Sequence, residues 1–104
     1  MNARKLDLSS YEIAGGTYET KRNLKIILFH PQRQLNALGL VEVLKLWEVV
    51  DSQGEGNVIL SEGEWEKLKQ AFMEVKGFGE GDIELVQRVM ETPIVEVNEN
   101  APVD

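Results

Sequence analysis

The sequence contains no cysteine, which excludes disulfide bonds, thiolate metal sites and cysteine nucleophiles. Histidine is scarce as well, because His30 is the only one, so a multi-histidine metal site cannot form. No serine lies in a nucleophile-elbow motif that could work with His30. We therefore expect a protein that is not an enzyme and that uses no cofactor.

Long apolar runs are also missing. No segment approaches the roughly 20 residues that span a bilayer, and the first residues lack the apolar run of a signal peptide. These absences predict a soluble, intracellular protein without membrane contact. The length of 104 residues fits one domain, which we place at 1–97. The polar end 98–104 is predicted to be a disordered acidic tail.

Charge of one sign dominates the second half of the chain. Up to Trp47 there are seven basic and four acidic residues, a net +3, whereas from Glu48 onward there are four basic and fourteen acidic residues, a net −10. Binding to phosphate backbones needs clustered lysine and arginine. The pattern therefore argues against direct nucleic-acid contacts and favours either a solvated surface or an acidic face for a basic partner.

The segment Asn36–Val50 carries the strongest structural signal. Apolar residues recur at helical spacing and also fill most of the remaining circumference, interrupted by Glu42, Lys45 and Glu48. A helix that is apolar on most sides must be covered on most sides, so we expect the central core helix, capped by Asn36. The alternative is that part of this helix is an interaction surface.

The flanking segments complete an α+β prediction. Gly15 and Gly16 are predicted to form the two-residue turn of a hairpin, with Ile13 opposite Tyr18 and Tyr11 opposite Thr20. Ser61 begins a capping box that opens a second amphipathic helix, and Asp82 is the expected N-cap of a helix over 83–91. The segment 21–29 suits a helix or a strand, with a short helix preferred, and 94–97 has strand composition that could extend the hairpin. The expected fold is a small α+β domain, an N-terminal hairpin packed on three to four helices around a central apolar helix.

The loop after the predicted central helix has the spacing of a calcium-binding EF-hand loop. Its candidate oxygen ligands are Asp51, Gln53, Glu55, Asn57 and Glu62, with Gly56 at the turn position. Two features oppose this interpretation: Gln53 is neutral, and the capping box at Ser61 puts the next helix out of phase with an EF-hand exit helix. Our expectation is therefore no metal site, with calcium binding as an alternative function.

Exposed carboxylates of the second half are the predicted partner-binding residues. They recur on the outer side of the second amphipathic helix or lie near it in sequence: Glu62, Glu66, Glu74, Asp82 and Glu84. Such groups mainly steer encounter with a partner. We expect this acidic face to bind another protein of unknown identity.

Several motifs resemble a family of small uncharacterised tailed-phage and prophage proteins. They are the segments 23–31 (NLKIILFHP), 58–65 (VILSEGEW), 75–79 (VKGFG) and 84–89 (ELVQRV), and the likeness runs from about Tyr18 to Pro93. The resemblance implies a virion component, an assembly factor or a host-interaction protein, located in the host cytoplasm or the virion. The leading prediction is a non-enzymatic phage accessory protein that binds another protein; an acidic inhibitor or nucleic-acid mimic is a further alternative.

Overall fold

The computed structural model describes residues 2–96. In chain order the elements are β1 (Asn2–Asp7), β2 (Tyr11–Ile13), β3 (Gly16–Tyr18), α1 (Thr20–Leu28), α2 (Ala37–Asp51), β4 (Asn57–Ser61), α3 (Glu62–Glu74), α4 (Ile83–Met90) and β5 (Ile94–Glu96). Short 3-10 turns occupy Pro31–Arg33 and Glu80–Asp82. The α+β class is confirmed, whereas the predicted tail 98–104 lies outside the described residues.

The main sheet is organised around a strand that the sequence did not reveal. β1 lies between β4 and β5 and pairs antiparallel with both. On the face turned towards the helices, Leu6 lies opposite Val58 and all three of Leu6, Val58 and Leu60 are buried. The prediction that 94–97 extends the hairpin is wrong, because β5 pairs with β1 instead.

The N-terminal hairpin exists, but its predicted register is wrong. Tyr11 lies opposite Tyr18, and Ile13 lies opposite Gly16, so the two-residue turn is Ala14–Gly15. Gly15 supplies the positive φ of 93° that this turn requires. The register is the one that stacks the two tyrosine rings, whose centroids are 4.7 Å apart.

The central helix of the domain is α3, and the expectation that the helix starting at Asn36 would be central is wrong. The buried residues of α3, namely Trp65, Leu68, Ala71 and Phe72, contact α1, β1, β4 and α4. The predicted capping box is confirmed: the Glu64 amide donates to Ser61 Oγ, and Glu64 Oε1 accepts from the Ser61 amide at 2.7 Å.

Helix α2 lies at the edge of the core, against α1 and β4. It begins where predicted, since the Asn36 side chain accepts a hydrogen bond from the Gly39 amide. Only Val43, Leu46 and Val50 of this helix are buried. The opposite side faces solvent, because no described element covers it.

The predictions for the segment 21–29 and for Asp82 have different outcomes. The segment 21–29, ambiguous in sequence, is helical in α1. Asp82 precedes α4 but does not cap it, since its carboxylate turns back to accept from the Gly79 amide and from the Tyr18 hydroxyl. Phe78 is about one-third exposed and stacks on Phe72, with ring centroids 5.8 Å apart, so it covers the edge of the core.

Candidate functional site on helix α2

The solvent-facing side of α2 is apolar. Its large side chains remain substantially exposed: Leu38 by 69%, Leu40 and Val41 by 49% each, and Leu44 by 46%. Together with Ala37, which is also exposed, these residues are called the outer face of α2 below. Water contact at so many apolar side chains of one helix is unfavourable, so the outer face is a candidate site for another chain.

The middle of the outer face has the spacing of a coiled-coil seam. At about 100° per residue, Ala37, Val41, Leu44 and Glu48 fall within roughly 60° of one another around the helix. They recur at steps of four, three and four residues, the pattern of paired helices. Leu38 and Leu40 lie on either side of this row. We call Ala37, Val41, Leu44 and Glu48 the seam of α2.

The inner side of α2 holds the seam in a fixed orientation. Val43, Leu46 and Val50 are buried, and Trp47 is partly buried against the core. Lys25 Nζ lies 5.4 Å from the centroid of the Trp47 ring, a cation–π arrangement that ties α1 to the border of α2. The seam is therefore presented on a packed helix and not on a loop.

The size of the outer face can be compared with that of ordinary protein surfaces. Its four large side chains expose, in sum, the equivalent of about two complete leucines. Covering them would contribute roughly 3–6 kcal/mol at about 1.5–3 kcal/mol per leucine-sized side chain. Association itself costs roughly 4–15 kcal/mol, so a patch of this size by itself supports weak association at most. Exposed apolar patches that exceed scattered single residues are often functional.

Three of the five candidate ligands of the calcium alternative are used for other contacts. The side-chain nitrogen Nε2 of Gln53 donates to the Ile59 carbonyl oxygen at 2.9 Å, and the side-chain oxygen Oε1 of Gln53 accepts from the Ile59 backbone amide at 2.7 Å. Asp51 pairs with Lys21 and Glu62 pairs with Arg4. Glu55 and Asn57 are exposed. Among residues 2–96, no three His, Asp or Glu side chains are gathered as a metal site.

The five predicted partner-binding carboxylates are distributed over several intramolecular contacts. Glu62 pairs with Arg4 and Glu74 with Arg33, both at 2.9 Å, whereas Glu66 pairs with Lys69 at 3.5 Å. The Glu84 carboxylate lies 2.5 Å from the Arg88 guanidinium, and the Asp82 carboxylate accepts a hydrogen bond from the Tyr18 hydroxyl. The structure thus spreads these groups over α3, the 3-10 turn Glu80–Asp82 and α4, and each one contacts another residue of the chain. Their role in partner binding stays a prediction.

Two of these contacts lie at partly buried arginines. The Arg4 guanidinium lies 3.7 Å from the centroid of the buried Trp65 ring and also donates to the Thr92 carbonyl oxygen. Arg33, whose side chain is only 7% exposed, donates to Glu74 and to the Leu28 carbonyl oxygen. These carboxylates neutralise cations at the core edge, which is a structural task.

The shifted pKa values belong to the hairpin and its surroundings. Burial, reinforced by the hydrogen bond to Asp82, raises the pKa of Tyr18 well above its ordinary value, and burial also raises the pKa of Tyr11. Hydrogen bonds from Ser9 lower the pKa of Asp7. His30 accepts from the Gln32 amide and caps a 3-10 turn. In the described part of the chain, every buried side-chain nitrogen and oxygen has a partner, so none marks a ligand.

Comparison with protein-family models, with curated proteins and with solved structures found no match. The resemblance to small tailed-phage proteins therefore stays a prediction. No helix in the range 2–96 combines the length and apolar character needed to cross a membrane.

The exposure of the outer face of α2 was not predicted, because the sequence favoured a helix buried on most sides. Its signal was present, because the helix is apolar on nearly all sides while the domain is small. A chain of this size buries only part of its surface, so it cannot cover a helix on all sides. The sequence could not say which side would stay uncovered.

Proposed function

We propose that this protein is a non-enzymatic accessory protein that acts by protein–protein association through the outer face of α2. The observation that carries the proposal is the exposure of Leu38, Leu40, Val41 and Leu44 on one side of a helix that is otherwise packed. Helix faces of this kind are common in recognition, where apolar anchors at steps of three and four residues enter a groove or meet another helix.

The ion pairs that the acidic residues form within the chain favour the outer face of α2, and not the acidic surface, as the binding site. Glu62, Glu74 and Glu84 already neutralise arginines of the same chain. A basic partner would have to compete with those contacts, and exposed ion pairs contribute little affinity. The net charge of −7 is better suited to tuning the rate of encounter than to holding a partner.

The biological setting that we propose is a phage or prophage, with the protein in the host cytoplasm or in the virion. The support for this is the resemblance of the segments 23–31, 58–65, 75–79 and 84–89 to small tailed-phage proteins. In that setting the outer face of α2 would serve as the contact with another chain.

The test is affinity capture with the chain immobilised, quantified by mass spectrometry, from extracts of cells that produce the protein. Leu44→Glu places a charge in the outer face, whereas Ile26→Glu makes the same change at an exposed residue of α1. We expect Leu44→Glu to abolish specific capture and Ile26→Glu to leave it unchanged. Equal capture by the parent and both variants would refute a role for the outer face.

A further inference from the structure

We infer that the outer face of α2 pairs with the same face of a second copy, the two helices running antiparallel about a two-fold axis. The inference rests on the proposed function and specifies the occupant of the face. Two properties of the described residues support it, namely the spacing of the seam and the position of its one charge. The exposed area sets the expected strength of the pairing.

The spacing makes the seam complementary to itself. In an antiparallel pair centred between residues 42 and 43, Val41 of one copy lies opposite Leu44 of the other, and Ala37 lies opposite Glu48. Facing helices in this 4-3-4 pattern approach to about 8–10 Å between axes. The two largest seam residues then meet at the middle of the contact, and the small Ala37 leaves room at each end.

The charge of Glu48 selects the antiparallel orientation. Parallel pairing would set Glu48 against Glu48 within the seam, which is repulsive. In the antiparallel pair each Glu48 lies at the beginning of the partner's helix, beside Ala37. Helical geometry leaves the Ala37 and Leu38 amides without intrahelical acceptors, so that end carries a partial positive charge. Glu48 forms no ion pair with a residue of the described range, so it is free for this contact.

The flanking residues fit the same arrangement. A two-fold axis brings like flanks together, so Leu38 and Lys45 of one copy lie beside Leu38 and Lys45 of the other. The methylene stem of Lys45 can then cover the partner's Leu38 while its ammonium stays in water. Both residues are exposed in the isolated chain.

The exposed area indicates a weak dimer. An apolar patch equivalent to about two leucines per copy is small beside the roughly 800 Å² per partner of a standard interface, even with a polar rim added. We therefore expect a dimer that dissociates readily, with a Kd of roughly tens to hundreds of micromolar. The net charge of −7 on each copy opposes association, so the Kd should fall as salt screens it.

Sedimentation velocity of the whole chain, from about 10 μM to about 1 mM, measures this equilibrium. We expect the weight-average mass to rise from one copy towards two. Leu44→Glu puts two carboxylates into the contact and should raise the Kd at least tenfold, and Val41→Lys should do the same. Circular dichroism checks that both variants fold; their target side chains are about half exposed. A monomer at every concentration, or a dimer unaffected by both changes, would overturn the inference.

A charge comparison tests the orientation. Glu48→Lys removes an attraction at each end of the pair and should raise the Kd roughly tenfold at low salt. Glu42→Lys is the matched control, since it changes the charge equally at an exposed residue on another side of α2. The control should change the Kd less than twofold. Equal effects of the two variants would contradict the seam contact of Glu48.

Cross-linking provides an independent measure, because the natural chain has no cysteine. An equal mixture of Ala37→Cys and Glu48→Cys is oxidised mildly and analysed by mass spectrometry. Antiparallel pairing predicts disulfides that join position 37 of one copy to position 48 of the other. Disulfides joining 37 to 37 would show parallel pairing and refute the orientation, because antiparallel helices hold those positions about 16 Å apart along the axis.

Failure of the inference and failure of the proposed function give different results. A monomeric chain whose capture of another protein is abolished by Leu44→Glu overturns self-pairing and leaves the outer face as the site. A chain whose association with itself and with other proteins ignores Leu44→Glu overturns both.

Discussion

Two matched leucine truncations test whether α3, and not α2, carries the core. Leu68 of α3 is fully buried, whereas Leu44 of α2 is 46% exposed. Both lie inside helices, so Leu→Ala changes their helix propensity equally. A buried Leu→Ala loses the transfer free energy of the removed atoms and leaves a cavity, which costs about 2–5 kcal/mol.

We expect Leu68→Ala to lower the free energy of unfolding by about 3 kcal/mol and Leu44→Ala by less than about 1 kcal/mol. The reason is that much of the Leu44 side chain already contacts water and its removal opens no enclosed cavity. Urea unfolding followed by circular dichroism measures both, at a few micromolar protein so that association does not contribute.

The slope of the unfolding free energy with urea serves as the control, because an unchanged slope shows that both variants expose similar surface on unfolding. A loss above about 2 kcal/mol for Leu44→Ala would refute the placement of α2 at the edge of the core. A loss below about 1 kcal/mol for Leu68→Ala would refute the central position of α3.

Three further predictions follow from contacts away from the outer face. Arg33→Ala should destabilise the domain by about 2–4 kcal/mol in urea unfolding, because it leaves the Glu74 carboxylate without its partner at the core edge; Arg33→Lys should recover only part of the loss. Gln53→Ala should speed hydrogen exchange of the Ile59 amide while changing the free energy of unfolding by about 1 kcal/mol, and unchanged exchange would contradict the side-chain bond. The fold raises the pKa of Tyr18, so the contribution of this tyrosine to stability is full below its unfolded pKa of about 10 and is lost as the pH rises above that value. The urea midpoint should therefore fall less between about pH 9 and pH 11 in Tyr18→Phe than in the parent.

Local chemistry was the part of the fold that the sequence could specify. The capping box at Ser61 and the cap at Asn36 each need only a side chain and an amide a few residues away, so their spacing was sufficient.

Two features of the fold could not be predicted because they depend on contacts between residues that are not local in sequence: the strand β1 and the register of the hairpin. β1 contains Arg4, Lys5 and Asp7, which suggest a solvated terminus. It is a strand because it pairs with β4 and β5, whose residues lie at least 50 positions away along the chain. The hairpin turn had adjacent glycines, so composition could not choose between Ala14–Gly15 and Gly15–Gly16. Stacking of Tyr11 on Tyr18 fixed the register.

The candidate site was the hardest element to infer. Periodicity identifies the side of a helix that enters a core only when the other side is polar. In α2 the apolar residues run around most of the helix, so burial depended on which side α1 and β4 would cover. The ion pairs of Glu62 and Glu74 could not be inferred for a related reason, because their partners Arg4 and Arg33 come from distant segments. Whether these carboxylates bind a partner stays a prediction.

The central position of β1 has a consequence for synthesis of the protein on the ribosome. β1 is made before β4 and β5, yet its pairing with β5 joins Ala3 to Val95, a separation of 92 residues. The sheet therefore cannot be completed until residues 94–96 have left the exit tunnel. Until then β1 has one hydrogen-bonding edge open, the state in which nascent chains are most exposed to mispairing. Chaperone contact during translation should be concentrated in that interval, before the last strand emerges.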